Sequence, residues 1–364
     1  MKHLKVIVSG GGTGGHIFPA LAIANEIRAT HPDSEILFVG ALGKMEMEKV
    51  PAAGYQIVGL PVAGFQRRLT FKNITFFYKL ISSLLMARKI IKVFKPDVVV
   101  GVGGYASGPL LRAAVNAGIP ALVQEQNSFP GVTNRILSKK VNTICVAYEN
   151  MDRWFPAEKI VLTGNPVRQN FLASVSRDEA LKSFGLNPEL KTILVIGGSL
   201  GARSINQGVL AGLDLIVESN IQVIWQTGKI YYSSLDSQVA QELRTLVKMS
   251  DFIQNMDMAY AAADIVISRA GASSISEIAL LRKPAVFVPS PNVSEDHQTK
   301  NAITLVDKGA ARMIPDGESA EIANVAISLL NAPEILEEMK KQLAFFAKPN
   351  AAKVIAQEVF KLVK

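Results

Sequence analysis

Ser9-Gly10-Gly11-Gly12-Thr13-Gly14-Gly15-His16 follows the apolar run Leu4-Lys5-Val6-Ile7-Val8 and precedes a helical pattern from Ala20 to Ala29. A strand that runs into glycines and then a helix aims backbone N–H groups and a helix N-terminus at one point, where an anion is favoured. The stretch therefore predicts a phosphate-type loop at the end of a buried strand. Gly10, Gly12 and Gly15 satisfy the dinucleotide spacing G-x-G-x-x-G, a weak motif alone, which also wants an acid at the end of the second strand to hold a ribose. That strand, Glu35-Ile36-Leu37-Phe38-Val39, ends in Gly40-Ala41-Leu42, so the acid is missing. No Gly-Lys-Ser/Thr follows, which excludes a Walker loop. His16 stands at the mouth of the loop, where it reads as a candidate catalytic group or, more blandly, as a satisfied surface or core histidine.

Outward from this loop, the strand-turn-helix unit recurs. Pro96-Asp97-Val98-Val99-Val100 enters Gly101-Val102-Gly103-Gly104-Tyr105-Ala106-Ser107-Gly108-Pro109, and Ile119-Pro120-Ala121-Leu122-Val123 leads to Gln124-Glu125-Gln126-Asn127. The second half repeats the scheme. Thr192 to Ile196 enters Gly197-Gly198-Ser199-Leu200-Gly201-Ala202, Ala263 to Ile267 enters Ser268-Arg269-Ala270-Gly271-Ala272-Ser273, and Lys283 to Val288 meets a polar run from Asn292 to Asn301. Continuous Val/Ile/Leu strands alternating with helices predict an α/β protein of two doubly wound, Rossmann-like domains facing across a cleft. The expected boundaries are 1–164 and 165–349, with an amphipathic helix at 350–364 packing back on the first half.

With 364 residues, each domain is large enough to bury its own core. The single cysteine, Cys145, cannot form an internal disulfide and suits a reducing compartment. The N-terminus does not read as a signal peptide, and no apolar run approaches the roughly 20 residues of a membrane span. A cytoplasmic protein is expected. The net charge of +8 points to an acidic partner. Between Glu48 and Asp97 every charged residue is basic, including Arg67, Arg68, Lys72, Lys79, Arg88, Lys89 and Lys92, interleaved with Phe65, Phe71, Phe76, Phe77, Tyr78, Leu80 and others. One helical face, Ile74, Ile81, Leu84 and Leu85, is expected to pack on the sheet, which leaves the aromatics for another surface.

The Gly197 to Gly201 turn has the ingredients for a diphosphate: backbone donors, the Ser199 hydroxyl and a helix N-terminus. Glu277, shortly after the Gly271 turn, reads equally as an acceptor for a ribose diol or as a helix acid or cap. Asp296, His297, Gln298 and Asn301 gather polar groups suited to a sugar. Arg168 is placed to reach a phosphate or to make a surface ion pair. No zinc spacing, H-E-x-x-H, G-x-S-x-G or strand-end D-x-D occurs, so neither metal nor cofactor is expected.

Taken in order, Gly11 to Pro19, Gly103 to Pro109, Glu125-Gln126-Asn127, Gly164-Asn165-Pro166-Val167-Arg168, Gly197 to Arg203 and Ser276-Glu277-Ile278 resemble the signature series of the bacterial peptidoglycan N-acetylglucosaminyltransferases, the MurG family. The resemblance covers nearly the whole chain. It implies a GT-B fold and an inverting transfer of N-acetylglucosamine from UDP-N-acetylglucosamine to the C4 hydroxyl of lipid I, giving lipid II. It further implies His16 as the base, and an acceptor site on Gly12, Thr13, Gly103, Gly104 and Tyr105. The donor would meet Thr13, Gly14, Gly15, Asn127, Arg168, Ser199, Ile253, Glu277, His297 and Gln298, with uracil read by the backbone around Phe252-Ile253. Where the family's best-known pattern has a second glutamine, this chain has His297. The stretch around Arg67, Arg68, Lys72, Phe76, Lys79 and Leu80 would rest on the anionic cytoplasmic face of the membrane, with other cell-wall synthesis proteins as possible partners and no nucleic acid. The rivals are another GT-B enzyme, such as a diacylglycerol glycosyltransferase or UDP-sugar 2-epimerase, and a non-catalytic nucleotide-gated membrane-binding protein. A nicotinamide dehydrogenase is disfavoured by the missing ribose acid.

Overall fold

The computed structural model describes residues 3–62, 72–167, 171, 175–198 and 200–363, apart from the side chains at 72–77 and 294. The chain divides into two compact units, residues 1–168 with 348–364 and residues 169–347. Arg67, Arg68, Arg168 and Ser199 lie outside the described residues, as do the side chains of Lys72 and Phe76.

Unit 1 is built on strands β1 (Lys5–Ser9), β2 (Glu35–Ala41), β3 (Gln56–Leu60), β4 (Val98–Gly101), β5 (Ala121–Glu125), β6 (Thr143–Val146) and β7 (Ile160–Leu162). They form one parallel sheet in the order β3-β2-β1-β4-β5-β6-β7. Unit 2 holds β8 (Lys191–Ile196), β9 (Ile221–Gln226), β10 (Val247–Ser250), β11 (Ile265–Ser268), β12 (Ala285–Phe287) and β13 (Arg312–Met313), ordered β10-β9-β8-β11-β12-β13. Both sheets reverse direction of winding after their first strand, between β1 and β4 and between β8 and β11. Ligands of open α/β sheets bind at such switch points, beyond the carboxyl ends of the strands.

Helices cover both faces of these sheets, which is why the strands read as unbroken apolar runs. Val6, Ile7, Val8, Val98, Val99 and Val100 are all 0% exposed; each such side chain contributes about 1.5–3 kcal/mol on burial. The helix Ala351–Lys361 lays Ile355, Ala356 and Val359 into the unit 1 core beside Val6, Val8 and Ile23. Pairing of Ser9 with Gly101 brings the loops after β1 and β4 side by side.

The helix Lys72–Phe94 packs differently from the sequence expectation. Its core-facing residues are Ser83, Ala87, Ile90 and Ile91, whereas Ile81 and Leu85 are exposed at 59% and 57%. The reason is helical phase: residues 83, 87, 90 and 91 share one face, and residues 78, 81 and 85 lie on another. Among the described residues, no helix is long and apolar enough to cross a membrane.

Candidate active site

In unit 1 the helix Gly14–Thr30 begins at Thr13, which is extended. The Thr13 hydroxyl lies 3.3 Å from His16 Nδ1 and makes no cap bond to the helix. The half-buried His16 ring lies over the second glycine turn, since a Cβ built on Gly103 would sit 2.7 Å from its Cδ2 and 2.9 Å from its Nε2. Gly103 and Gly104 take φ values of +97° and +85°, in the region glycine favours. A Cβ on Gly104 would strike the Gly11 carbonyl oxygen. Both turns thus approach at backbone distance, with His16 where they meet and Tyr105 exposed beside it.

The loop after β1 is occupied in a way the sequence does not announce. Gly12 N–H donates to Glu46 Oε2 at 2.9 Å, and Ala41 N–H donates to Glu46 Oε1 at 2.9 Å. The missing acid of the second strand is replaced by one five residues farther on, and it grips the loop itself. The Gly12 N–H is thus already engaged by a carboxylate, and the following helix starts at Gly14.

At the end of β5, Glu125 is buried and accepts from the Asn127 N–H at 3.0 Å, Asn127 Nδ2 at 3.2 Å, Gly131 N–H at 3.1 Å and Asn134 Nδ2 at 2.8 Å. Burial pushes its carboxyl above the usual range, and these hydrogen bonds work against that rise. Their geometric effect is to fix Asn127. Gln126 Nε2 donates to the Val102 carbonyl at 2.5 Å, tying this segment to the second glycine turn. Asn165 completes the network, accepting from Gln124 Nε2 at 2.8 Å and donating to the Gln126 carbonyl at 3.0 Å.

In unit 2 the turn after β8 closes with Gly201 N–H on the Gly198 carbonyl at 3.0 Å. Buried Gln226, at the end of β9, donates to that Gly198 carbonyl at 3.0 Å and accepts from Ile253 N–H at 2.9 Å. One carboxamide thus joins the glycine turn to the segment that the sequence reading assigns to uracil. Glu277, 9% exposed in the helix Ala272–Leu280, accepts from the buried Tyr260 hydroxyl at 3.3 Å. Such burial is not that of a solvated helix acid. Gln298 Oε1 accepts from Ser290 N–H at 2.8 Å. His297 is half-buried at the start of the helix His297–Val306. Behind the turn, Arg269 and Ser204 both bind Asp316. Burial would raise the Asp316 carboxyl, but the hydrogen bonds from Ser204 and Arg269 outweigh it and hold it below the usual range.

Sequence reasoning missed Glu46, Tyr260 and Gln226. Only Gln226 left a signal, as a polar residue before Thr227-Gly228 at the end of an apolar run.

Residues 6–146 match the glycosyltransferase family 28 N-terminal domain, and residues 192–358 match its C-terminal domain. A curated relative from Phocaeicola vulgatus, named UDP-N-acetylglucosamine--N-acetylmuramyl-(pentapeptide) pyrophosphoryl-undecaprenol N-acetylglucosamine transferase, is 57% identical over 99% of this chain and 97% of its own length. One of the same name from Parabacteroides distasonis is 55% identical, covering 100% and 99%. The crystal structure of Acinetobacter baumannii MurG superposes with a TM-score of 0.79 at 29% identity, covering 99% of both chains. The UDP-GlcNAc 2-epimerase from Neisseria meningitidis, at 16% identity and a TM-score of 0.69 over 98% of this chain and 100% of its own, shares the fold alone. Two Rossmann-like domains of the GT-B class, each matching its half of one family, identify the type: the chain belongs to glycosyltransferase family 28, in its MurG branch.

Proposed function

We propose that this protein transfers N-acetylglucosamine from UDP-N-acetylglucosamine to lipid I, the undecaprenyl-diphospho-N-acetylmuramoyl pentapeptide, and that His16 is the general base of the transfer. The observation that carries the reaction is the identity of 57% over essentially the full length with a relative named for it.

The acceptor lies on the turns at Gly12, Thr13, Gly103 and Gly104 beside Tyr105, with its C4 hydroxyl at His16. With Nδ1–H donated to Thr13, Nε2 takes the C4 proton as that oxygen attacks the anomeric carbon. The bond to UDP breaks on the opposite face, so the configuration inverts. Negative charge developing on the diphosphate is met by backbone N–H groups of the Gly197 to Gly201 turn, Ser199 and Arg168. Glu277 accepts from the ribose diol, the Ile253 backbone reads uracil, and Asn127, His297 and Gln298 meet sugar hydroxyls. Thr13, Gly14 and Gly15 border the donor as well. Labelled UDP-N-acetylglucosamine mixed with lipid I tests the reaction: label must pass to the lipid fraction, and its absence there would refute the assignment.

The protein works at the cytoplasmic face of the membrane, held peripherally. This reading is supported by the exposed stripe Tyr78, Ile81 and Leu85 on the helix Lys72–Phe94, flanked by exposed Lys79, Arg88, Lys89 and Lys92, with Leu80 half-buried alongside. Apolar side chains among cations suit an anionic lipid surface.

A further inference from the structure

We propose that Glu46 is a positioning residue of the acceptor half, holding the Gly10–Gly12 turn in the shape that sets His16 against Gly103; the proposal rests on the acceptor reading given above. Glu46 opens the helix Glu46–Ala52 and is 0% exposed. Through Gly12 N–H and Ala41 N–H, its two oxygens tie the loop after β1 to the end of β2. The surrounding space is cut to this side chain. A Cβ on Gly11 would overlap the Glu46 carboxyl, and one on Gly40 would come 2.6 Å from its Cγ.

Gly11 connects the carboxylate to the reacting histidine. Its backbone is the surface on which Gly104 rests, and Gly103 next door carries the His16 ring. A shift of Glu46 therefore passes through two glycine backbones to the imidazole. Both bonds from Glu46 are accepted from backbone N–H groups, so a carboxylate suits the place and a carboxamide does not: one end of a glutamine would present NH2 to an N–H.

The test is Glu46→Gln in the full chain, measured for kcat with lipid I, KM for UDP-N-acetylglucosamine, UDP affinity and melting temperature. Misplacing a catalytic group by about 1 Å costs up to about 100-fold, and kcat is expected to fall by about 10–100-fold while UDP affinity and donor KM stay at wild-type values. Gly11→Ala pushes on the same carboxylate from the loop side and should reproduce that split, so it decides the matter if Glu46→Gln does not fold. A folded variant with wild-type kcat overturns the positioning role, as does a loss of melting temperature with kcat per folded molecule unchanged. Wild-type protein run alongside separates the two readings: without label transfer by wild type the assigned reaction fails, and with equal transfer by wild type and both variants only the role of Glu46 fails.

Discussion

In unit 1 the turn after β1 is backed by the buried carboxylate of Glu46; in unit 2 the turn after β8 is backed by the neutral carboxamide of Gln226. The two sheets share their order over six strands, with β7 added at the edge of unit 1, and both place the turn at the same switch point. What differs is the charge behind the glycines. The Glu46 carboxylate accepts from a loop N–H, whereas the Gln226 carboxamide donates to a carbonyl of its turn. Under the proposed function one architecture serves two tasks: unit 1 would position a base beside the acceptor, and unit 2 would receive the charge of the leaving nucleotide.

The largest expected effect is on the unit 1 side. His16→Ala should lower kcat by about 10²–10⁴-fold, the range for a positioned base, and should remove the acidic limb of the pH–rate profile. If His16 only binds the acceptor, the variant will instead raise KM for lipid I and keep both kcat and the limb.

A second test asks whether the units respond separately to pH. Lys283 in unit 2 donates to the Ala263 carbonyl at 2.8 Å, and burial lowers its ammonium from 10.5 to about 8, against the pull of Asp264. Its folded value lies below its unfolded one, so below pH 8 both states hold the proton and the cost is fully present. Between pH 8 and 10.5 folding sheds that proton, and stability should rise with pH by at most about 3 kcal/mol. Lys283→Met should abolish the rise in thermal melts of unit 2. A rise that survives the substitution would assign it to another group.

The smallest expected effect concerns the outer face of the helix Lys72–Phe94. Lys79→Ala should weaken pelleting with anionic vesicles by about 1 kcal/mol and lower its salt dependence, while binding to neutral vesicles stays unchanged. Equal pelleting of wild type and variant, or tight binding to DNA in its place, would remove this face from membrane contact.

The sequence made the fold legible where strands are long and apolar. Val6 to Val8, Val98 to Val100 and Thr192 to Ile196 end in glycines, and period and turn chemistry agree there. Short edge strands were not legible: β7 has three residues and β13 two, too few to show a period. The helix Lys72–Phe94 was read as a helix but in the wrong phase, because apolar residues occur on several of its faces and sequence cannot say which face meets the sheet. In the candidate site, the glycine turns were legible as turns at strand ends, and Glu277 was placed on the helix after the Gly271 turn. Glu46 was not legible, because nothing in Lys44-Met45-Glu46-Met47 tells that a charged side chain will turn inward onto backbone N–H groups. Such contacts are set by tertiary approach, which a single sequence does not encode locally.

The division of labour between the units is tested most directly by titrating UDP into wild type, His16→Ala and Glu277→Ala and measuring Kd for each. The account predicts wild-type Kd for His16→Ala. For Glu277→Ala it predicts a loss of about 1.5–3 kcal/mol, the worth of a hydrogen bond to a charged group. Equal weakening in both variants, or wild-type Kd in a folded Glu277→Ala protein, would contradict it.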